Sequence, residues 1–399
     1  MGSAFESIVG GAHVRPSEDE RIDGVVLSEV VCPGSASEVA ECLRLASTDR
    51  IPLLPRGGGS KIGWGNPGSA ERWVVLDVSR LRADPEVHAE EGVVRVAAGV
   101  PVERLERALV ACGRRARTPA GYPGATVGGS VATDPPDAER SIDRALRHDL
   151  LGVEVALANG TLARAGGRVV KNVTGFDLVR LYCGSFGTLG VITEVILRLR
   201  PVPEARWILA REVPSLEAAQ AAIADVGALG VEPEGMLLRS HASGLQLLWV
   251  IEGIEEDVVE RVERFAGDRC EEADWLSAAR GLVEPCREDQ VSLRLGARGS
   301  DVGALWRVLE GWAGRAGMTV ALPLTGLVRA HGEASTVDTL LETAARREWS
   351  SFIESGPLSE KSRHDVFGAA SGVQDLLRSV KQHFDPEGVL APGRFLGRI

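Results

Sequence analysis

Runs of apolar and polar residues divide this chain into a first lobe of mixed helices and strands and a second lobe in which one order of elements occurs twice. In the first lobe, Ser35 to Thr48 reads as a short amphipathic helix opened by a small polar cap, and Ile51 to Pro55 as the strand after it. Val74 to Val78 and Val93 to Ala98 read as strands, and Val102 to Ala111 as a helix. Asp149 to Ala165 has the pattern of a hairpin, with Asn159-Gly160 expected to supply the positive φ angles of a tight primed turn. The β-branched run Val191 to Leu197 reads as a further strand, and Arg200-Pro201-Val202-Pro203 closes the lobe. Beyond it, Trp207–Glu212, Ser215–Val226, Glu234–Arg239, Leu245–Ile251 and Glu255–Phe265 predict β, α, β, β, α. Val291–Leu295, Val302–Ala313, Met318–Leu322, Gly326–Ala330 and Thr336–Arg346 predict the same order again, a doubled α+β unit without sequence identity between its halves.

Three glycine clusters interrupt the first lobe. Pro55-Arg56-Gly57-Gly58-Gly59-Ser60-Lys61-Ile62-Gly63-Trp64-Gly65 follows a strand end, where successive N–H groups form an anion cradle and Arg56 and Lys61 add charge. It fits neither the P-loop nor the dinucleotide fingerprint. Gly121 to Thr133 is a run of small and hydroxyl residues. Gly166 to Val195 carries glycines at 166, 167, 175, 184, 187 and 190 and feeds through Gly187-Thr188-Leu189-Gly190 into a strand. A tight turn with no ligand explains the last cluster as readily as a ligand does, whereas three such clusters together point to a flat, phosphate-bearing molecule.

In their order, the clusters resemble the FAD-binding domain of vanillyl-alcohol oxidase and p-cresol methylhydroxylase flavoproteins, over about Val25 to Pro203. The run Val169 to Leu178, then Gly184 to Gly190, and the tail Phe384-Asp385-Pro386-Glu387-Gly388-Val389-Leu390-Ala391-Pro392-Gly393-Arg394 are similar to the glycolate oxidase group, with length and a reduced C-terminal half nearest the E-subunit type of glycolate dehydrogenase. The resemblance implies an α+β chain: a polar segment 1–23, a p-cresol-methylhydroxylase-type FAD domain 24–203 of two subdomains, a smaller antiparallel α+β cap 204–380 over the substrate, and a segment 381–399 returning to the FAD domain. It implies FAD contacts from Arg56, Gly57, Gly58, Gly59, Ser60, Lys61, Ile62 and Gly63 in a pyrophosphate loop. Pro119, Gly124, Ala125, Thr126, Gly128, Gly129, Ala132 and Thr133 would contribute from a second loop. Gly187, Thr188, Gly190, Val191 and Ile192 would contribute from the closing segment, and Arg394 from the tail.

Relatives that tether FAD through the pyrophosphate loop use a histidine there. Here that loop reads Gly59-Ser60-Lys61 and residues 119–133 hold no cysteine, so dissociable FAD is expected. Two further departures stand out. Asp134-Pro135-Pro136-Asp137 replaces a small-residue run, and its carboxylates would repel a pyrophosphate unless the loop turns away; Ala391 replaces an asparagine. The cap motif H-x-G-x-G-x-x-H of larger hydroxy-acid dehydrogenases is reduced to Val328-Arg329-Ala330-His331-Gly332-Glu333, so no catalytic residue is assigned. His331 and His364 are read as structural, and no metal site is expected.

The net charge of −11, with 24 Lys+Arg against 26 Asp+Glu in residues 1–205 and 21 against 30 in 206–399, excludes a phosphate-tracking nucleic-acid surface. Six scattered cysteines without C-x-x-C read as buried thiols and leave the flavin as the only evident electron carrier, so an outside acceptor is needed. Only Lys61, Lys171, Lys361 and Lys381 of 45 basic residues are lysines, and two of them lie in glycine clusters. With no apolar N-terminal run and no bilayer-length stretch, a cytoplasmic location is expected, with docking on a membrane partner left open. The implied function is that of an FAD subunit oxidising a small 2-hydroxy acid beside a second flavoprotein and an iron–sulfur subunit. A stand-alone FAD oxidase or dehydrogenase of another small alcohol or hydroxy acid and a non-catalytic flavin-binding scaffold are the alternatives.

Overall fold

Hydrophobic burial places the β-branched runs in sheets and the amphipathic runs over them. The computed structural model describes residues 3–17, 19–119, 121–139, 145–168, 176–228, 232–241, 244–264, 267–314, 319–368 and 372–399. The predicted motif residues 169–175, with Lys171, lie outside these, as do Met318 and Phe265 at predicted element ends. Contacts divide the chain into two units: Met1–Pro135, Leu146–Pro201 and Lys361–Ile399 form one, Pro136–Ala145 and Val202–Glu360 the other.

The first unit carries strands β1 (Val14–Pro16), β2 (Arg21–Ile22), β3 (Val25–Val31), β4 (Leu53–Arg56) and β5 (Arg72–Asp77) in one sheet, ordered β1-β3-β5-β4 with β2 also on β3. Strands β3, β5 and β4 run parallel, with Leu53 opposite Val74. Helix Ala36–Asp49 makes the crossover. Ser35 Oγ caps it by accepting from Glu38 N, and Val39, Ala40, Cys42, Leu43 and Ala46 form its buried stripe. Phe5, 1% exposed, and Val9 belong to the same core, and β1 pairs with β3. The stretch before residue 24 is therefore packed into the unit, through two apolar side chains that its polar composition hides.

A second, antiparallel sheet contains β6 (Glu86–His88), β7 (Val93–Ala97), β9 (Leu150–Ala156), β10 (Leu162–Gly166) and β11 (Val191–Arg198), ordered β10-β9-β11-β7-β6. Strands β8 (Arg114–Arg115) and β12 (Arg200–Pro201) form a short separate pair. The β9–β10 hairpin is present, but its turn is not the primed one expected. Gly160 takes φ of 82° while Asn159 is not in the left-handed region, and Asn159 Oδ1 instead accepts from Thr161 N at 3.0 Å. A longer loop with one left-handed glycine serves the same strands.

The second unit is one eight-stranded antiparallel sheet. Its strands are β13 (Ala205–Val213), β14 (Gly235–His241), β15 (Gly244–Gly253), β16 (Asp268–Cys270), β17 (Gln290–Gly296), β18 (Thr319–Leu322), β19 (Leu327–Glu333) and β20 (Ser350–Ser355). The order β16-β13-β15-β14-β18-β19-β17-β20 is two βαββαβ halves mirrored about the β14–β18 pairing. The sequence pattern finds the first five elements of each half and misses the closing strands. Strand β16 is the three residues Asp-Arg-Cys and β20 is Ser-Ser-Phe-Ile-Glu-Ser, and neither carries a clean period. Ala138, from the stretch after Pro135, is in this unit's core, and a Cβ on Gly235 would lie 2.6 Å from its carbonyl.

The return to the first unit begins at Lys361 rather than at 381, because Lys361 itself is 1% exposed within that unit. The cysteines are all free thiols, but only Cys42 and Cys183 are buried; burial pushes Cys42 up to about 12, and Cys112 is exposed at a turn. Among the described residues no helix is long and apolar enough to cross a membrane.

Candidate functional site

The glycine clusters meet within the first unit, and the glycines let them do so. A Cβ on Gly57 would lie 2.1 Å from Thr126 Oγ1, and one on Gly58 would lie 1.7 Å from the carbonyl of Gly124. A Cβ on Gly128 would lie 2.5 Å from that of Ala98, and one on Gly190 would lie 2.4 Å from Val155. What the missing side chains admit is thus first of all other protein, two loops and a strand closing on one another. The second cluster is partly helical: Val127–Thr133 is a helix whose N-cap, Thr126, accepts from Gly129 N. Its small residues pack flat.

A cavity opens where these segments converge. Of the residues named from sequence it is lined by Arg56, Gly57, Gly58, Gly59, Ser60, Lys61 and Ile62, by Thr126, Gly128, Gly129, Ala132 and Thr133, by Gly187, Gly190, Val191 and Ile192, and by Arg394. Gly63, Pro119, Gly124, Ala125 and Thr188 are not on its lining. Gly124 turns with φ of 70° behind Gly58, and the carbonyl of Thr188 accepts from Lys381 at 2.8 Å. Leu54, Pro55, Trp64, Val78 and Phe186 complete the wall and give it an apolar stretch. Phe186 holds φ of 56°, a strained angle for a bulky side chain, with its ring against Phe367 at 5.1 Å and Phe395 at 5.8 Å in a three-ring cluster. That position lies inside the run Gly184 to Gly190, but strain has no signature in sequence.

Charge is arranged differently from the expectation. Arg56 lines the cavity, yet Asp77 takes its Nε and Nη2 at 3.1 and 2.7 Å, so its charge is compensated. Arg394, 3% exposed, donates to Asp23 and to the carbonyls of Ile62 and Trp64; it braces the loop from behind. Of the three cations on the cavity lining, Lys61 is the one that pairs with no described carboxylate. It is 8% exposed, its Nζ bonds Ser60 Oγ at 3.1 Å and lies 4.4 Å from the Tyr122 ring, and burial pulls it down to about 8. The N–H groups of Gly58, Gly59, Ser60 and Lys61 donate to no described residue. Four free donors beside a buried, unneutralised ammonium fit a bound pyrophosphate, and the apolar wall fits a flat ring system. Asp134 does turn away: it takes φ of 39° and its carboxylate pairs with Arg147 at 2.7 Å.

In the second unit, His331 is 6% exposed and held neutral, pushed down to about 4 by burial and the neighbouring Arg329. Arg329 donates to Glu354 at 2.6 Å and to the carbonyls of Gly281 and Glu284 at 2.8 and 2.9 Å. Arg329, Glu354 and the two carbonyls are occupied with one another, as in a polar core, whereas His331 Nε2 is buried with no hydrogen-bond partner among the described residues. His364 lies in the first unit, where Arg363 Nη2 is 3.3 Å from its ring and its carbonyl accepts from Arg398.

The FAD binding domain family matches residues 27–166. Glycolate oxidase subunit GlcE of Escherichia coli (strain K12) is 31% identical over 271 residues, covering 67% of this chain and 71% of that protein. Glycolate oxidase subunit GlcD of Bacillus subtilis (strain 168) is 32% identical over 206 residues, 51% of this chain; the match spans only 43% of that relative's length. Among solved structures, p-cresol methylhydroxylase with substrate bound aligns with a TM-score of 0.73 at 14% identity, covering 98% of this chain and 95% of that one, which shows a shared fold.

Proposed function

This chain belongs to the family of FAD-dependent oxidoreductases that includes the glycolate oxidase subunits, and from that membership we propose that it is an FAD-holding subunit, of the E type, in a complex that oxidises a small 2-hydroxy acid. The observation that carries the reading is the buried Lys61 ammonium without a carboxylate, next to the free N–H groups of residues 58–61. When bound, FAD supplies a two-electron acceptor for the hydride of a hydroxyl-bearing carbon. The chain's own part is to neutralise the pyrophosphate with Lys61 and the loop amides, and to lay the ring system against the apolar wall. Gly57, Gly58, Thr126 and Gly190 set the width of that slot.

The reading includes non-covalent attachment, because among the described residues the lining holds no histidine, cysteine or tyrosine to form a tether. It also includes a partner. The six cysteines are separate thiols without a cluster-ligand arrangement in sequence, and His331 is buried and neutral, so electrons leave through another redox protein, a second flavoprotein and an iron–sulfur subunit. The purified chain should show a flavin absorption spectrum and release FAD on denaturation, and glycolate or lactate should bleach it anaerobically once partners are present. A colourless protein that refuses added FAD would end this reading.

The Lys61 charge gives the binding a pH signature. An anion binds the protonated form, so FAD affinity is full below pH 8 and falls as pH rises through about 8. Stability of the apoprotein moves the other way. The folded pKa lies below the ordinary 10.5, so the cost of burying the charge is present below pH 8 and is relieved between 8 and 10.5. In Lys61→Gln, FAD titrations at pH 7 and pH 9.5 should give the same, weaker affinity; a wild-type affinity that is flat over this interval would remove Lys61 from the site.

A further inference from the structure

Lysine is scarce in this chain, four among 45 basic residues, and the three described ones are all buried in the first unit at 8% exposure or less. Lys61 faces the cavity. The other two lie behind it, and each ties a cavity-lining glycine turn to the C-terminal segment 361–399. Lys361 donates to Asp23 and, at 2.6 Å, to the carbonyl of Gly63; Arg394 takes the second Asp23 oxygen and the carbonyls on either side, of Ile62 and Trp64. Three successive carbonyls of the glycine loop are therefore held from below by two cations that share one aspartate. Lys381 does the same for the other turn, donating to the carbonyls of Thr188 and Leu390 at 2.8 and 2.7 Å and to Asp385 at 2.6 Å. Asp385 in turn accepts from Leu390 N at 2.8 Å.

We propose that Lys361 and Lys381 are positioning residues that hold the turns at 57–65 and 187–190 at the width FAD requires, and that a guanidinium cannot replace either ammonium. The proposal rests on reading the cavity as the FAD site. An ammonium offers three donors in a compact tetrahedral head, and Lys381 spends all three on a carboxylate and two carbonyls that converge on one point. A planar five-donor fork has neither the room nor the geometry at sites this closed. This accounts for the presence of lysine in a chain that otherwise uses arginine, and it couples the last 39 residues, 361 to 399, to the cofactor slot although Arg394 alone among their described residues lines it.

The test uses the full chain with Lys361→Arg, Lys381→Arg and Lys381→Met, reading amide hydrogen exchange of the apoprotein by mass spectrometry alongside FAD titration. Exchange should quicken at least tenfold at the hydrogen-bonded amides of Ile62 and Trp64 in the Lys361 variant and of Thr188 in the Lys381 variants, with FAD dissociation constants raised at least tenfold and arginine no better than methionine. Lysine-to-arginine variants with wild-type exchange and affinity would overturn it. So would a lowered melting temperature with unchanged FAD affinity in the folded protein, the mark of a purely structural clamp. Should Lys361→Arg fail to accumulate, the Lys381 pair decides the question in the same way. If the wild type takes no FAD, the cofactor reading falls by that result alone, while quickened or unchanged exchange at the two turns still upholds or overturns the positioning role.

Discussion

Gly58→Ala is expected to fold and to lose FAD, with affinity reduced at least a hundredfold, or about 2.8 kcal/mol at 1.4 kcal/mol per factor of ten. The added Cβ would sit 1.7 Å from the carbonyl oxygen of Gly124, and that neighbour is backbone, which cannot rotate aside as a side chain can. The two loops must part by more than an ångström to restore contact distance, and the parting moves the amides of residues 58–61, together with Lys61, away from the helix at 127–133. Gly63 supplies the control. It lies in the same loop, but a Cβ there meets nothing within 4 Å and its φ is not left-handed, so Gly63→Ala should bind FAD as the wild type does. Titration of the apoprotein followed by flavin fluorescence separates the two. Equal affinity in the two variants would mean that the loops do not need to touch for the slot to form.

The same contrast shows what the sequence made visible. Glycine clusters are legible because a missing Cβ is a one-letter signal, and 17 of the 22 residues named from sequence do line one cavity. Their meaning was less legible. Gly57 and Gly58 are required by the contact with Gly124 and Thr126 more than 60 residues away, and no local pattern states which surface a glycine admits. Charge suffers from the same limit. Arg56 looks like an anion binder until Asp77, 21 positions on, neutralises it, and Asp23 has no feature that marks it as the shared counter-ion of Lys361 and Arg394. The rarity of lysine was the one compositional clue to those clamps.

For the fold, the repeated β, α, β, β, α order was readable because its strands are long and apolar. The strands that close each half were not, because pairing at a sheet edge asks little of side chains: β16 is largely exposed, and it is held by backbone bonds to β13. Phe5 and Val9, with Ile8 and Val14 partly buried beside them, show the reverse case, in which a few apolar residues in a polar stretch dock it together with the β1–β3 pairing.

Glu354→Ala should be the most destabilising single change in the second unit, costing about 3–5 kcal/mol. Glu354 is 1% exposed, and it is the carboxylate facing two guanidiniums: Arg329, 5% exposed, at 2.6 Å and Arg294 at 3.3 Å. Ser292 Oγ also reaches it, at 3.4 Å. Removing it leaves Arg329 under the segment 281–284 with carbonyl partners and no counter-charge, and the desolvation cost of that cation is then unopposed. Replacing both members is a different matter, since the cost arises from the orphaned charge and not from the loss of an attraction. Arg329→Met with Glu354→Leu should therefore recover most of the loss. Thermal and urea unfolding of the apoprotein measure both, and because the cluster lies entirely in the second unit, FAD affinity of the folded single variant should stay within twofold of wild type. A melting temperature for Glu354→Ala within a degree of the wild type would show that water reaches Arg329, and the cluster would then be a solvated site with Arg329 and His331 free to meet a ligand.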